Sequence, residues 1–326
     1  MSRQKTALVL GGAGFIGGHL VRRLKNEGYW VRAVDIKKPE FGALCADEFY
    51  LGDLRKVEVV KDVMCIKGGF DEVYQLAADM GGAGYIFSGS HDADLMPNSH
   101  LININVAECA VTFKVGKLFY SSSACIYPQQ IQEDPNNLGL KESDAYPANP
   151  DSEYGYEKIL SERLYKAYEK NYGLSVRIAR FHNIFGPLGT YKGGKEKAPA
   201  AILRKVAEVE SGGTIEIWGD GEQTRSFLYV DECVEGVLRL MRSNYTDPVN
   251  IGSDERVSIN QLVNMACIIS GKENIFIKHI DGPQGVRGRN SNNDLIKSIL
   301  GWAPSAKLYD GLVKTYSWIN NQVNSK

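Results

Sequence analysis

A tyrosine and a lysine four residues apart, in Tyr154-Gly-Tyr-Glu-Lys158, share one face if the segment is helical. An ammonium in that position can hold a phenol near ionisation, and the pair can move the proton of a sugar hydroxyl while a hydride leaves the same carbon. The spacing alone fits an ordinary amphipathic helix equally well, with the tyrosine packed and the lysine solvated. Two further stretches favour chemistry. Gly11-Gly-Ala-Gly14-Phe-Ile-Gly17 offers a place for a hydride acceptor, and Ser121-Ser-Ser-Ala-Cys125-Ile-Tyr127 places a cysteine between that loop and the Tyr/Lys pair. Cys125 is the unusual member of the set.

These residues need elements to position them. The apolar run Thr6–Leu10 leads directly into the glycines, and Ile16 to Glu27 has helical periodicity with Gly28 as a stop, so the order is strand, loop, helix. Further strands are expected at 31–35, 49–53, 72–76, 118–121 and 175–179, separated by helical stretches. Such alternation predicts an α/β fold, a doubly wound parallel sheet of the Rossmann kind covered on both faces. From about residue 181 the chain turns Gly-, Pro- and Lys-rich. The division expected is a cofactor-binding domain over 1–180 and a smaller substrate-binding lobe over 181–326, some of whose segments return to the first. In that lobe a strand is expected at 215–218, a helix from Asp231 to Arg242, and another opened by the capping box Ser258-Ile-Asn-Gln261 and closed at Gly271.

A glycine loop between strand and helix lets backbone approach a pyrophosphate and aims a helix N-terminus at its charge. Gly11, Gly14, Phe15, Ile16 and Gly17 form that loop here, with Leu76 at the end of a neighbouring strand. Asp35, about 20 positions on, would accept from both ribose hydroxyls and repel a 2′-phosphate, which favours NAD over NADP; Lys37 and Lys38 weaken that preference. Asp53 could reach the adenine or simply cap a helix ahead of Arg55.

Composition narrows the class. The 326 residues are 43% hydrophobic with a net charge of −1, so nothing chain-wide attracts nucleic acid or an anionic membrane, and an anionic ligand must be held by local Lys and Arg. No segment reads as a membrane span, and Met1-Ser-Arg-Gln-Lys leads into a strand with no signal-peptide pattern. The six cysteines are scattered, which suits free thiols and a cytoplasmic location, and the five histidines show no ligand spacing, so no metal is expected.

Ordered blocks of sequence then suggest a relationship. They are Leu76-Ala-Ala-Asp-Met-Gly-Gly82, Ser122-Ser-Ala-Cys125-Ile-Tyr-Pro128, Arg180-Phe-His-Asn183-Ile-Phe-Gly-Pro187, Lys192-Gly-Gly-Lys-Glu-Lys197-Ala-Pro-Ala, Trp218-Gly-Asp-Gly-Glu-Gln223-Thr-Arg225-Ser-Phe and Gly285-Val-Arg287-Gly-Arg289-Asn290-Ser. Over nearly its whole length the chain resembles the extended short-chain dehydrogenase/reductase family, and within it the enzymes that epimerise nucleotide sugars. The resemblance implies bound NAD, a small-molecule substrate such as GDP-mannose or a related nucleotide sugar, and a homodimer. Tyr154 and Lys158 would oxidise C4 of the hexose transiently, which makes the hydrogens on C3 and C5 acidic. Cys125 and Lys197 match the family positions that move those protons, from opposite faces. Taken alone, Cys125 could be an inert thiol at a strand end and Lys197 part of a solvated loop.

Ser123 is expected to hydrogen-bond the reacting oxygen, or else to cap a turn. Gly81 would admit the sugar closely, beside Ala124, Glu196 and Ala198. Asn183, Lys205, Gln223, Thr224, Arg225, Arg287 and Arg289 would hold the nucleotide diphosphate, guanidinium forks matching phosphate oxygens. Two stretches depart from the family pattern: Ser88–Pro97, read as a loop, and the end of the chain soon after Gln322, where plant members carry a longer tail. The rival activities are 4-epimerisation, which needs no Cys/Lys pair, and 4,6-dehydration, for which an acidic pair would stand where Ala124 and Cys125 are. An NAD-binding scaffold without activity would be expected to lack Tyr154 or Lys158.

Overall fold

In the strand Thr6–Leu10 successive side chains point to opposite faces, and each face meets its own core. Ala7 and Val9 pack with Leu20, Val21 and Leu24 of the helix Phe15–Asn26 and with Val234 and Val237 of the helix Val230–Arg242. Leu8 and Leu10 pack on the other side with Val60 and Val63 of the helix Val57–Met64, Val106 and Ala110 of the helix Asp92–Thr112, and Tyr165 of the helix Glu153–Tyr172. The computed structural model, which describes residues 3–325, thus has helices on both faces of one sheet.

Seven parallel strands form the sheet, in the order Val249–Ile251, Val176–Phe181, Lys117–Ser123, Glu72–Gln75, Thr6–Leu10, Trp30–Asp35 and Glu48–Leu51. Connections leave Thr6–Leu10 toward one edge and later return on its other side, so a crevice opens beyond the carboxyl ends of Thr6–Leu10 and Glu72–Gln75. The strand Val249–Ile251 and the helix Val230–Arg242 lie with this sheet although they follow residue 181 in the chain.

A third core builds the second lobe. Leu203 and Val206 of the helix Ala198–Glu208 meet Leu262 and Val263 of the helix Ile259–Ser270 and Leu312 of the helix Leu308–Asn324. Ile215 and Ile217 point into it from the strand Thr214–Trp218, which pairs with Phe276–Ile280. The capping box expected at Ser258 is present, and Gly271 ends that helix at φ +66°. One expectation fails in part: Ser88–Pro97 is not a loop throughout, because the helix begins at Asp92 and carries Pro97 inside it. Burial of Leu95 and Ser99 on either side outweighs the backbone hydrogen bond that the proline removes.

Candidate active site

At the crevice, the N–H groups of Gly11 and Gly12 both donate to the Val34 carbonyl, at 2.8 and 3.0 Å. Gly11 has φ +82°, and a Cβ there would lie 2.9 Å from the Ala77 nitrogen, while one at Gly17 would lie 2.1 Å from the Gly11 oxygen. Only glycine permits this turn so close to the helix that follows. Gly14 starts that helix with no side-chain cap and no acidic residue in its first turn, which leaves the first N–H groups directed at the crevice. Phe15 lies over Gly186 and Gly189, Ile16 packs against the core, and the Leu76 N–H donates to the Leu10 carbonyl at 3.0 Å.

Asp35 is buried and accepts from the Ala13 and Lys37 N–H groups at 3.1 and 3.2 Å. Burial raises its pKa, partly offset by those N–H donors, and Lys37 pairs with Glu40 instead. A glycine cradle beside a carboxylate that forms no ion pair among the described residues suits a dinucleotide with free ribose hydroxyls. Asp53 is different. Both its oxygens are held by Arg55, at 2.7 to 3.1 Å, and its pKa is lowered chiefly by that hydrogen bonding, the turn contact that the sequence offers as one of two readings.

Next to the cradle, the strand Lys117–Ser123 ends in a single tight turn, Ala124–Ile126, and the Ser123 hydroxyl accepts from the Cys125 N–H at 3.2 Å. Ser123 therefore caps the turn, and it also lies against Tyr154. The helix Glu153–Tyr172 is capped by Ser152 and packs hard on that turn. A Cβ on Gly155 would lie 2.2 Å from the Cys125 carbonyl oxygen. Gly155 thus sets how closely Tyr154 and Cys125 approach, a role that sequence reasoning missed; the signal was a glycine in the first turn of a helix, between two tyrosines.

Tyr154 is 6% exposed, and burial drives its pKa up, with Cys125 and Glu157 adding to the effect and Ser123 opposing it. Among the described residues no hydrogen bond joins Lys158 to the Tyr154 hydroxyl. The Lys158 ammonium donates to the Ser121 carbonyl at 3.1 Å, lies 3.9 Å from a Glu157 oxygen and sits over the Tyr154 ring, 5.6 Å from its centre. Burial lowers the Lys158 pKa, with Glu157 and Cys125 pulling the other way. Glu157 was also missed: it is buried, accepts from Ser161 at 2.6 Å and Asn103 at 3.1 Å, and leaves its second oxygen without a hydrogen bond.

Lys197 is the N-cap residue of the helix Ala198–Glu208 and is brought near both Cys125 and Cys233. Burial lowers its pKa, and the two thiols oppose that. The segment before it is clamped to the loop 79–82: the Gly82 N–H donates to the Lys195 carbonyl at 3.0 Å, and a Cβ on Gly82 would lie 2.2 Å from the Glu196 carbonyl oxygen. Gly82 makes the close approach here, whereas Gly81 faces the Tyr85 side chain. Glu196 was expected at the substrate, yet its carboxylate accepts from Gly194 at 2.6 Å and Arg204 at 3.4 Å and so braces the lysine segment.

The expected diphosphate donors divide. Arg225 is partly buried and donates to the carbonyls of Thr224, Gln284 and Val286 at 2.7 to 3.0 Å; desolvation, with Arg289 nearby, pushes its pKa down to about 9. No carboxylate hydrogen-bonds it among the described residues, which leaves an anion-hungry charge. Gln223 has a buried side-chain oxygen without a hydrogen bond. Arg287 instead forms a bidentate pair with Asp220, at 2.9 and 3.0 Å, on the rim of an open cleft of about 860 Å³. Thr224, Asn183 and Lys205 donate to the carbonyls of Pro135, Ser226 and Glu216. Arg289 lies beside Arg225 and also reaches Cys125. The Gly288–Arg289 strand pairs with Thr224–Arg225, and Gly288 sits where a Cβ would lie 2.2 Å from the Asp134 oxygen, so Arg289 is drawn into the first lobe and donates to the Cys125 sulfur at 3.1 Å. Among the described residues no three His, Cys, Asp or Glu side chains gather as metal ligands, and no helix is long and apolar enough to cross a membrane.

A doubly wound sheet with a glycine cradle, Asp35 and a buried Tyr/Lys pair defines a class, and residues 7–252 match the model of the NAD dependent epimerase/dehydratase family; the chain belongs to it. It is an NAD-dependent enzyme of the epimerase type. More particularly, it is 50% identical over 320 residues to the GDP-mannose 3,5-epimerase of Arabidopsis thaliana, covering 98% of this chain and 83% of that protein. It is equally similar to GDP-mannose 3,5-epimerase 1 of Oryza sativa subsp. japonica, with 98% and 82% coverage. Among solved structures it resembles the UDP-glucose 4-epimerase of Thermotoga maritima, with a TM-score of 0.85, 26% identity and coverage of 98% and 100%.

Proposed function

We propose that this protein is a 3,5-epimerase of GDP-mannose that forms GDP-L-galactose, with the 5-epimer GDP-L-gulose as a second product. What supports the reading is that Tyr154, Lys158 and Lys197 all lie near the Cys125 thiol. An enzyme that only inverts C4 has no use for Cys125 and Lys197 as a second pair.

NAD, when bound in the Gly11–Gly17 cradle, supplies a reversible hydride acceptor for C4. Tyr154 takes the proton of the C4 hydroxyl and later returns it, beside the Ser123 hydroxyl. Because burial favours the phenol, Tyr154 gives up its own proton only with the Lys158 ammonium as counter-charge. Next to the C4 ketone, Cys125 and Lys197 remove and deliver protons at C5 and C3. Burial of Lys197 helps, since it brings the neutral amine closer to working pH. Arg225 holds the diphosphate, with the Gln223 amide nitrogen, which donates to the Trp218 carbonyl at 3.3 Å, as a second donor. A homodimer belongs to the same proposal, supported by the exposed Leu101, Tyr156 and Leu160 on the two helices that flank the sheet beside Tyr154, as does a cytoplasmic location, supported by six free cysteines.

The test is turnover of GDP-mannose in D₂O with NMR of the recovered sugar. Deuterium is expected at C5 and C3, and Cys125→Ala is expected to lose it by ~10³-fold while still reducing bound NAD. Turnover with neither carbon labelled and no sensitivity to Cys125 would replace this reading by a 4-epimerase.

A further inference from the structure

Arg289 has three nitrogens, and each meets a different acceptor. Its Nε donates to Gln132 Oε1 at 2.6 Å, one terminal nitrogen to the Cys125 sulfur at 3.1 Å, and the other to Asp151 Oδ2 at 2.8 Å. The acceptors are themselves fixed. Gln132 is fully buried and its amide nitrogen is taken by the carbonyls of Tyr127 and Pro128 at 2.9 and 3.1 Å, so its oxygen must face the guanidinium. Asp151 immediately precedes Ser152, the cap of the helix that carries Tyr154, and its side chain is 5% exposed.

A guanidinium whose task were to neutralise a carboxylate would engage both oxygens with its fork. Here one arm of the fork goes to sulfur, and the second oxygen of Asp151 is buried with no hydrogen bond. That arrangement is costly as architecture. It is well suited to aiming a fixed positive charge at one sulfur. We propose that Asp151 and Gln132 are positioning residues that lock Arg289 against Cys125, so that the sulfur meets the sugar in one orientation with a fixed positive charge beside it. This rests on the reading of Cys125 as a proton-exchanging group. Burial works against the Arg289 charge, and Cys125 and Asp151 more than offset it. Arg225 adds a second positive charge to the same cluster.

The experiment is alkylation of Cys125 by iodoacetamide in the NAD-loaded full chain, followed by peptide mass spectrometry as a function of pH. Asp151→Asn is expected to slow alkylation about 10-fold at neutral pH and to displace the profile to alkaline pH. Deuterium wash-in should fall in parallel, with NAD reduction by sugar retained, a split that general loss of structure does not produce. Alkylation of Asp151→Asn at the wild-type rate and profile would overturn the proposal. Should that variant fail to fold, Arg289→Lys and Arg289→Met decide: the lysine should retain part of the fast alkylation and the methionine none, and equal rates in both and in wild type would overturn it. Cys125→Ala separates the two claims. If it keeps the washed-in label, the role of Cys125 in epimerisation falls, while alkylation still reads the clamp directly.

Discussion

The cofactor side and the sugar side of this pocket are built by opposite means. Around Gly11–Gly17 the contacts are backbone to backbone, over few residues, and the missing Cβ atoms shape the cavity. Around Cys125 the contacts are between side chains from segments far apart in the chain: Arg289 lies 164 positions from Cys125 and 138 from Asp151. A backbone cradle binds phosphate in any member of a broad family, because every residue has an N–H. A side-chain cluster selects one proton-transfer chemistry.

If the two sides are separable, damage to one should spare the other. Gly17→Ala puts a carbon 2.1 Å from the Gly11 oxygen, a backbone atom that cannot swing away. NAD binding, read by fluorescence titration of stripped protein, should weaken by ~10²-fold or more, with Cys125 alkylation close to wild type. Loss of alkylation in the same variant would mean that the two sides are one unit. Tyr154→Phe lies on the boundary between them. Transient NAD reduction by the sugar should fall by ~10²-fold with NAD affinity retained, and a variant with near-normal turnover would make Tyr154 structural.

The smallest expected effect concerns the support of the sugar side. His182 is buried between Tyr127 and Asn250, with Nε2 3.0 Å from the Asn250 side-chain oxygen and Nδ1 without a partner. Burial lowers its pKa to about 4 from 6.5. The folded state therefore favours the neutral ring, so its contribution to stability is complete above pH 6.5 and is lost as pH falls toward 4. The slope should be about 1.4 kcal/mol per pH unit across that window. Chemical denaturation of wild type and His182→Gln over the acid range checks it, and the variant should have the shallower slope.

Much of this molecule could be read from residue order. The alternation of apolar runs with helical stretches fixed the doubly wound class, because hydrophobic burial at periods of 2 and 3.6 is a local property. The glycine loop, Asp35 and the capping box at Ser258 were legible for the same reason: turns and caps act over a few residues. Tertiary structure alone decided which charges meet. It brought Arg289 to Cys125 and sent the Lys158 ammonium to the Ser121 carbonyl. It also returned residues 249–251 to the edge of the sheet. A side chain's charge is a property of its type, but its partner is chosen by packing among segments that no spacing brings together. Burial then sets how strongly each pair acts.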